Sequence, residues 1–180
     1  MIEKIFFDMD GVLADFNRGV SEMCGIEPRS QDALDLDPHA DETMWAKIRE
    51  IEHFYDRLEL MPGAKDMFDE LYSRYGDRCE ILTGIPRPKR GIQNAGEDKT
   101  KWVRRLLSED IKINIVLRAE KPQYCTSRGC ILIDDLSSNI RNWEEVGGIG
   151  ILHTSSEETM KVLRELALSS AYLYQTAGEQ

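Results

Sequence analysis

Two aspartates, Asp8 and Asp10, lie two apart in FFDMDGVLADF at 6–16, and in an extended segment residues at that spacing project to one side. Gly11 follows them and permits a sharp turn. A second acidic pair, Asp134 and Asp135, closes the run ILIDD at 131–135. Carboxylates gathered in one place repel each other unless a cation sits among them. Oxygen ligands with no neighbouring His or thiol cluster suit a hard divalent ion such as Mg²⁺. Thr83 and Gly84 end ILTG with a hydroxyl and an unobstructed backbone N–H, both competent donors to a phosphate oxygen. Lys121, in LRAEK, adds a positive charge. Mg²⁺, a hydroxyl donor and a lysine around one aspartate describe a phosphoryl-transfer site. One Asp can attack phosphorus to give an aspartyl phosphate, and the second can protonate the leaving oxygen.

This chemistry needs elements that bring the pieces to one edge. Five short apolar runs read as strands: Ile5 to Phe7, Cys79 to Leu82, Ile113 to Leu117, Cys130 to Ile133 and Ile149 to Leu152. Their near-continuous hydrophobicity fits strands buried on both faces of a parallel sheet. Helical spacing fills the gaps. Met67, Phe68, Leu71 and Tyr72 follow Pro62-Gly63, and Trp102, Val103, Leu106 and Leu107 follow Asp98, read as a cap. Trp143 and Val146 sit on a short helix ended by Gly147-Gly148, while Met160, Leu163, Leu166, Ala167 and Ala171 form the inner stripe of a C-terminal helix. The expected fold is α/β, a doubly wound, Rossmann-like parallel sheet of about five strands. Ligands then collect at the carboxyl ends of the strands, where Asp8, Thr83, Lys121 and Asp134-Asp135 fall.

The first crossover is too long, with about seventy residues between the first two strands where a whole βαβ unit needs about thirty. Asp41 to Glu50 looks helical within it, and Pro28, Pro38 and Pro62 punctuate it. The economical reading is a small helical cap at 17–61 inserted into a core made of 1–16 and 62–180. Pro86, Pro88, Gly91 and Gly96 mark one long loop at 84–97.

Composition sets outer bounds. The 180 residues carry 23 Lys+Arg against 33 Asp+Glu, a net charge of −10 that argues against an extended nucleic-acid surface. With 41% hydrophobic residues there is ample core, so disorder is not the main reading. No stretch reaches the ~20 apolar residues of a membrane span, and the acidic opening does not read as a signal peptide. Cys24, Cys79, Cys125 and Cys130 show no C-x-x-C pairing and read as free thiols, which points to the cytoplasm.

In this order DMDGV, the Thr-terminated second strand, Lys121 and Asp134-Asp135 resemble the four motifs of the haloacid-dehalogenase-like phosphatases. The details DMDGVLADF, LTGIP, DKTKW and LIDD resemble the 5′(3′)-deoxyribonucleotidase branch of phage and bacterial type, over Ile2 to about His153. The resemblance implies Asp8 as nucleophile and metal ligand, and Asp10 as general acid–base lending its backbone carbonyl to the metal. Asp135 would be the direct carboxylate ligand, with Asp134 beside it. Thr83, Gly84 and Lys121 would hold the transferring phosphate. Arg87 falls where the branch has a phosphate-reaching lysine, and Phe16 where it contacts the base. Gly84 departs from the Thr-Ser of the animal members, one hydroxyl donor fewer, and Trp45, Phe54 and Tyr55 are the aromatics available in the cap.

Plainer readings stand beside these. Phe16 reads first as core or cap packing and second as a ligand contact, Trp102 and Trp143 read as core, and the basic cluster Arg87, Lys89 and Arg90 reads as a solvated loop or as a neighbour of an anionic substrate. His39, His53 and His153 receive no role. The favoured function is a Mg²⁺-dependent phosphomonoesterase acting on nucleoside monophosphates, 5′-deoxyribonucleotides first. Its alternatives are the same chemistry on a sugar phosphate, another small phosphomonoester or a nucleic-acid 3′ end, and a receiver-like phospho-signalling module. The expected partner is a small-molecule phosphomonoester, with no membrane, and homodimerisation stays open.

Overall fold

The computed structural model describes residues 2–29 and 31–177. Five strands form one parallel sheet in the order β3-β2-β1-β4-β5: β1 Lys4–Phe7, β2 Cys79–Gly84, β3 Lys112–Val116, β4 Cys130–Asp134 and β5 Ile149–Leu152. The doubly wound, Rossmann-like architecture expected from the apolar runs is the observed one. The alternation of β1 explains its central place, because Ile5 and Phe7 enter one apolar cluster while Phe6 enters the other, with Leu82, Leu132 and Trp143. A strand apolar on both faces is stable only between two covering layers.

The covering helices are α4 Ala64–Tyr75, α5 Ala95–Leu106, α6 Ser137–Glu145 and α7 Ser156–Ala177, while α1 Phe16–Cys24, α2 Gln31–Leu36 and α3 Pro38–Glu50 lie in the first crossover. Trp102 on α5 and Trp143 on α6 are fully buried, as core residues should be, and each indole finds an acceptor, Leu58 O at 2.7 Å and Cys130 O at 3.1 Å. On α7, Met160 and Leu163 are buried, whereas the Ala171 side chain lies outside the described residues. All four cysteines are free thiols. Among the described residues no helix is long and apolar enough to cross a membrane.

Two local expectations are corrected. The helix expected after Asp98 begins at Ala95 with Asn94 as its N-cap residue, so Asp98 lies in the first turn and its carboxylate bonds His53 Nδ1 at 2.8 Å instead. Val146 is exposed beyond the end of α6, because the helix stops at Glu145 and the chain turns at Gly147 with φ 94°.

The long first crossover holds α1, α2, α3 and a 3-10 turn at Tyr55–Arg57. Asp15 starts α1 by accepting from Arg18 N at 3.0 Å, and Gly25 closes it with φ 67°. Its two stems run side by side, since Asp15 N donates to Glu59 O and Met61 N to Leu13 O, both at 2.8 Å. The segment therefore leaves the sheet and returns at one place, directly beyond the end of β1.

Candidate active site

The parallel ladder carries the ends of β1, β2 and β4 to one edge, and the strand order reverses direction at β1, the place where open α/β sheets form a crevice. A cavity of about 930 Å³ opens there. At its floor Asp8 Oδ1 lies 2.9 Å from Lys121 Nζ, and the same ammonium donates to Asp134 Oδ2 at 2.6 Å. Asp134 is fully buried and already satisfied, because Asn139 Nδ2 reaches both its oxygens at 3.0 and 2.9 Å and Leu136 N donates at 2.9 Å. Burial alone would depress the Lys121 ammonium, but Asp8 and Asp134 together hold it above the usual lysine range.

Asp135 has no such compensation. The residue is exposed at the cavity mouth, and its carboxylate lies close against Gly11, where a Cβ would clash with it. Burial, followed by the charges of Asp8, Asp134 and Asp10, pushes its carboxyl up to about 8. Asp8, Asp134 and Asp135 each offer an oxygen within 4.8 Å of the others. Three carboxylates at that spacing with one lysine hold excess negative charge, and their all-oxygen donor set fits a hard divalent cation. Gly11 has φ 77°, so its lack of a side chain serves both the turn and the space for Asp135.

Asp10 lines the same cavity but is not one of the three clustered carboxylates. Its Oδ2 accepts from Lys99 Nζ at 2.6 Å, while its Oδ1 is buried with no hydrogen-bond partner. Burial outweighs Lys99 and raises the Asp10 carboxyl above the usual range. Lys99 also donates to Thr83 Oγ1 at 2.9 Å and to Gly84 O at 2.7 Å, and it lies 4.7 Å over the Tyr55 ring.

The upper wall belongs to the long crossover. Phe16 packs against Trp45, Phe54 and Tyr55 at centroid distances of 6.4, 5.6 and 6.3 Å, and Phe16, Trp45 and Tyr55 line the cavity. Packing and cavity lining are thus both true of Phe16. Arg90 ion-pairs with Asp41 and Glu42 and sits over the Trp45 ring, which ties the loop after β2 to α3. Arg87 stays at the mouth and lines the cavity.

Asp8, Asp10, Gly84, Arg87, Lys121, Asp135 and Phe16 therefore share one cavity, with Asp134 directly beneath. Thr83 differs from expectation: it is fully buried, off the cavity wall, and its hydroxyl faces Lys99. Gly84 turns its carbonyl to the same lysine. Sequence reasoning overlooked Lys99 and Asn139. A signal for Lys99 was present, since it stands four residues after Ala95 and three before Trp102, inside the apolar stripe of α5.

The parallel sheet, the crevice at its reversal point and the acidic floor define the haloacid-dehalogenase-like class of α/β hydrolases. The chain belongs to the family described as 5′ nucleotidase, deoxy (Pyrimidine), cytosolic type C protein, whose model matches residues 1–167, and it is a phosphatase of the nucleotidase type. None of the curated proteins matches it in sequence. Among solved structures, a hydrolase from Streptococcus pneumoniae TIGR4 is 14% identical, with a TM-score of 0.54 over 91% of this chain and 98% of that one. A hydrolase from Pseudomonas syringae is 14% identical with a TM-score of 0.52, over 83% of each chain. A haloacid dehalogenase-like family protein from Streptococcus pneumoniae is 16% identical with a TM-score of 0.51, again over 83% of each chain. At these identities the likeness speaks for the fold.

Proposed function

We propose that the protein hydrolyses nucleoside 5′-monophosphates, deoxyribonucleotides favoured, with Mg²⁺ and through a phosphoryl group carried on Asp8. The observation that carries this reading is Asp8 on the cavity floor, 2.9 Å from Lys121 and within 4.8 Å of Asp135. Asp8 and Asp135 would hold the metal together with the Asp10 carbonyl, and Asp134, already saturated, supports them by orienting Lys121. The metal supplies charge neutralisation around the transferring phosphate.

Lys121 and the Gly84 backbone hold the phosphate, with Arg87 at the mouth and Thr83 behind. An oxygen of Asp8 attacks phosphorus, the bond to the nucleoside oxygen breaks, and Asp10 gives that oxygen its proton. Asp10 then takes a proton from water as the water oxygen attacks phosphorus, and the electron pair returns to Asp8. Residues 17–61 act as a cap over the core of 1–16 and 62–180, shielding the reaction from bulk water. Phe16, Trp45 and Tyr55 offer the base a stacking wall.

The test is a substrate panel with Mg²⁺ ranked by kcat/KM: 5′- and 3′-deoxy- and ribonucleotides, sugar phosphates and a 3′-phosphorylated oligonucleotide. A 5′-deoxyribonucleotide at the head of the ranking supports the reading. A sugar phosphate or the oligonucleotide leading by tenfold or more overturns the substrate assignment.

A further inference from the structure

The motif DKTKW contains one residue that the mechanism above leaves unused and that the fold treats as special. Lys99 is fully buried, which is rare for a lysine, and it does not line the cavity. An ammonium has three N–H donors, and here each meets one oxygen: Asp10 Oδ2 at 2.6 Å, Gly84 O at 2.7 Å and Thr83 Oγ1 at 2.9 Å. The Tyr55 ring covers the group from the cap side at 4.7 Å. The helix that carries it is itself pinned. The neighbouring Asp98 bonds His53, and Trp102, one turn on, donates to Leu58 O, both partners lying on the return stretch of the long crossover.

We propose that Lys99 is the positioning residue for Asp10, clamping Oδ2 so that only Oδ1 remains to exchange a proton with the reacting oxygens. The inference rests on the reading of Asp10 as general acid–base. Oδ1 is the buried oxygen with no partner, so the clamp and the vacant acceptor belong to one carboxylate. The same ammonium fixes Thr83 and Gly84, and therefore holds the end of β2 in register with the turn after β1. A lysine suits this task because it is a compact charge with three donors, where a planar guanidinium would not fit three convergent oxygens. Lys99 acts through Asp10 and touches no substrate.

The proposal separates substrates by leaving group. A nucleoside oxygen needs a proton as it departs, whereas p-nitrophenolate leaves without one. In both cases the second step needs Asp10 to deprotonate water. Wild type, Lys99→Met, Lys99→Gln and Asp10→Asn are compared with Mg²⁺ on a 5′-deoxyribonucleotide and on p-nitrophenyl phosphate, with rapid mixing to resolve the first turnover. Lys99→Met is expected to lower kcat on the nucleotide by ~10²-fold or more with KM nearly unchanged. On p-nitrophenyl phosphate it is expected to give a burst approaching one equivalent per enzyme, followed by slow turnover.

Wild-type turnover in both Lys99 variants overturns the proposal, as does equal loss of the burst and of nucleotide turnover in a folded variant. Lys99→Gln keeps a neutral donor and serves if Lys99→Met does not fold. Loss of fold in both assigns Lys99 to stability and likewise overturns the proposal. Asp10→Asn distinguishes the two levels. Impaired Asp10→Asn beside normal Lys99 variants defeats the Lys99 inference alone, whereas undiminished Asp10→Asn defeats the general-acid reading beneath it.

Discussion

Asp8 and Asp10, two residues apart, answer to different lysines. Asp8 Oδ1 lies 2.9 Å from Lys121 Nζ, which comes from the turn after β3, and Asp10 Oδ2 lies 2.6 Å from Lys99 Nζ on α5. The two carboxylates feel each other's charge, but each has its own nearest ammonium. Under the proposed mechanism the first attacks phosphorus and the second transfers the proton.

Substitution tests that division. Asp8→Asn is expected to abolish turnover, because an amide is no nucleophile toward phosphorus. Asp10→Asn is expected to cost ~10²–10⁴-fold in kcat, the usual worth of general acid–base help. Steady-state phosphate release from preparations free of contaminating phosphatase checks both. Substantial activity in Asp8→Asn removes the nucleophile assignment.

Metal removal should stop the reaction and leave the fold. Asp8 and Asp135 are few enough points of attachment that the sheet does not depend on a cation, and far-ultraviolet circular dichroism after exhaustive EDTA dialysis should be unchanged while phosphate release ceases. Mg²⁺ should restore activity, and Ca²⁺ should do so poorly because its longer, irregular coordination misplaces the in-line geometry. Full activity in excess EDTA contradicts the account.

Gly11 carries two demands at once, a φ of 77° and the space occupied by the Asp135 carboxylate. Gly11→Ala is expected to cost about 1–3 kcal/mol of stability from backbone strain alone. It should also displace Asp135, so activity should fall further than stability does. Urea unfolding and kcat measured on the same preparation compare the two.

His153 gives the protein an acid limb of its own. Burial holds its imidazole below the ordinary 6.5, with Nδ1 bonded to Thr159 Oγ1 at 2.8 Å and Nε2 buried without a partner. Well above 6.5 both folded and unfolded chains keep this residue neutral, so it contributes no pH dependence there. As pH falls through 6.5 the unfolded chain takes up the proton first, and stability is lost until the folded value is passed. His153→Gln should therefore flatten the decline of the urea midpoint below that pH, and an unchanged slope would contradict the assignment.

Phe16 tests the cap's part in recognition. Stacking on a base is worth about 1–3 kcal/mol in single-strand binding. Phe16→Ala is expected to raise KM for a 5′-deoxyribonucleotide more than it lowers kcat, as the proposed stacking on the base, away from the reacting phosphate, requires. A loss confined to kcat would place the ring in cap packing alone.

Much of this was legible in the residues. Strands such as Cys130–Asp134 announce themselves because a short run buried on both faces must be apolar throughout and must end where a polar residue meets the crevice. Asp8, Lys121 and Asp134-Asp135 were therefore placed by counting to the strand ends. Lys99 was overlooked because a lysine in a helix usually marks the solvated face, and its partners come from β2 and the turn after β1, distant in sequence. Thr83 was read as facing a phosphate for the same reason, since nothing local reveals that a buried ammonium stands in front of its hydroxyl. The helix start at Ala95 was missed because Asp98 mimics a cap, and only the His53 contact shows where its carboxylate is used.

The central claim, phosphoryl transfer through Asp8, is tested most directly by rapid acid quench of the Mg²⁺ enzyme during turnover of a 5′-deoxyribonucleotide labelled in its phosphate, followed by peptide mapping. The account predicts acid-stable, hydroxylamine-labile label on the peptide carrying Asp8 in wild type, more of it in Asp10→Asn when p-nitrophenyl phosphate labelled in its phosphate replaces the nucleotide, and none in Asp8→Asn. Turnover with no label on that peptide in either wild type or Asp10→Asn would contradict it.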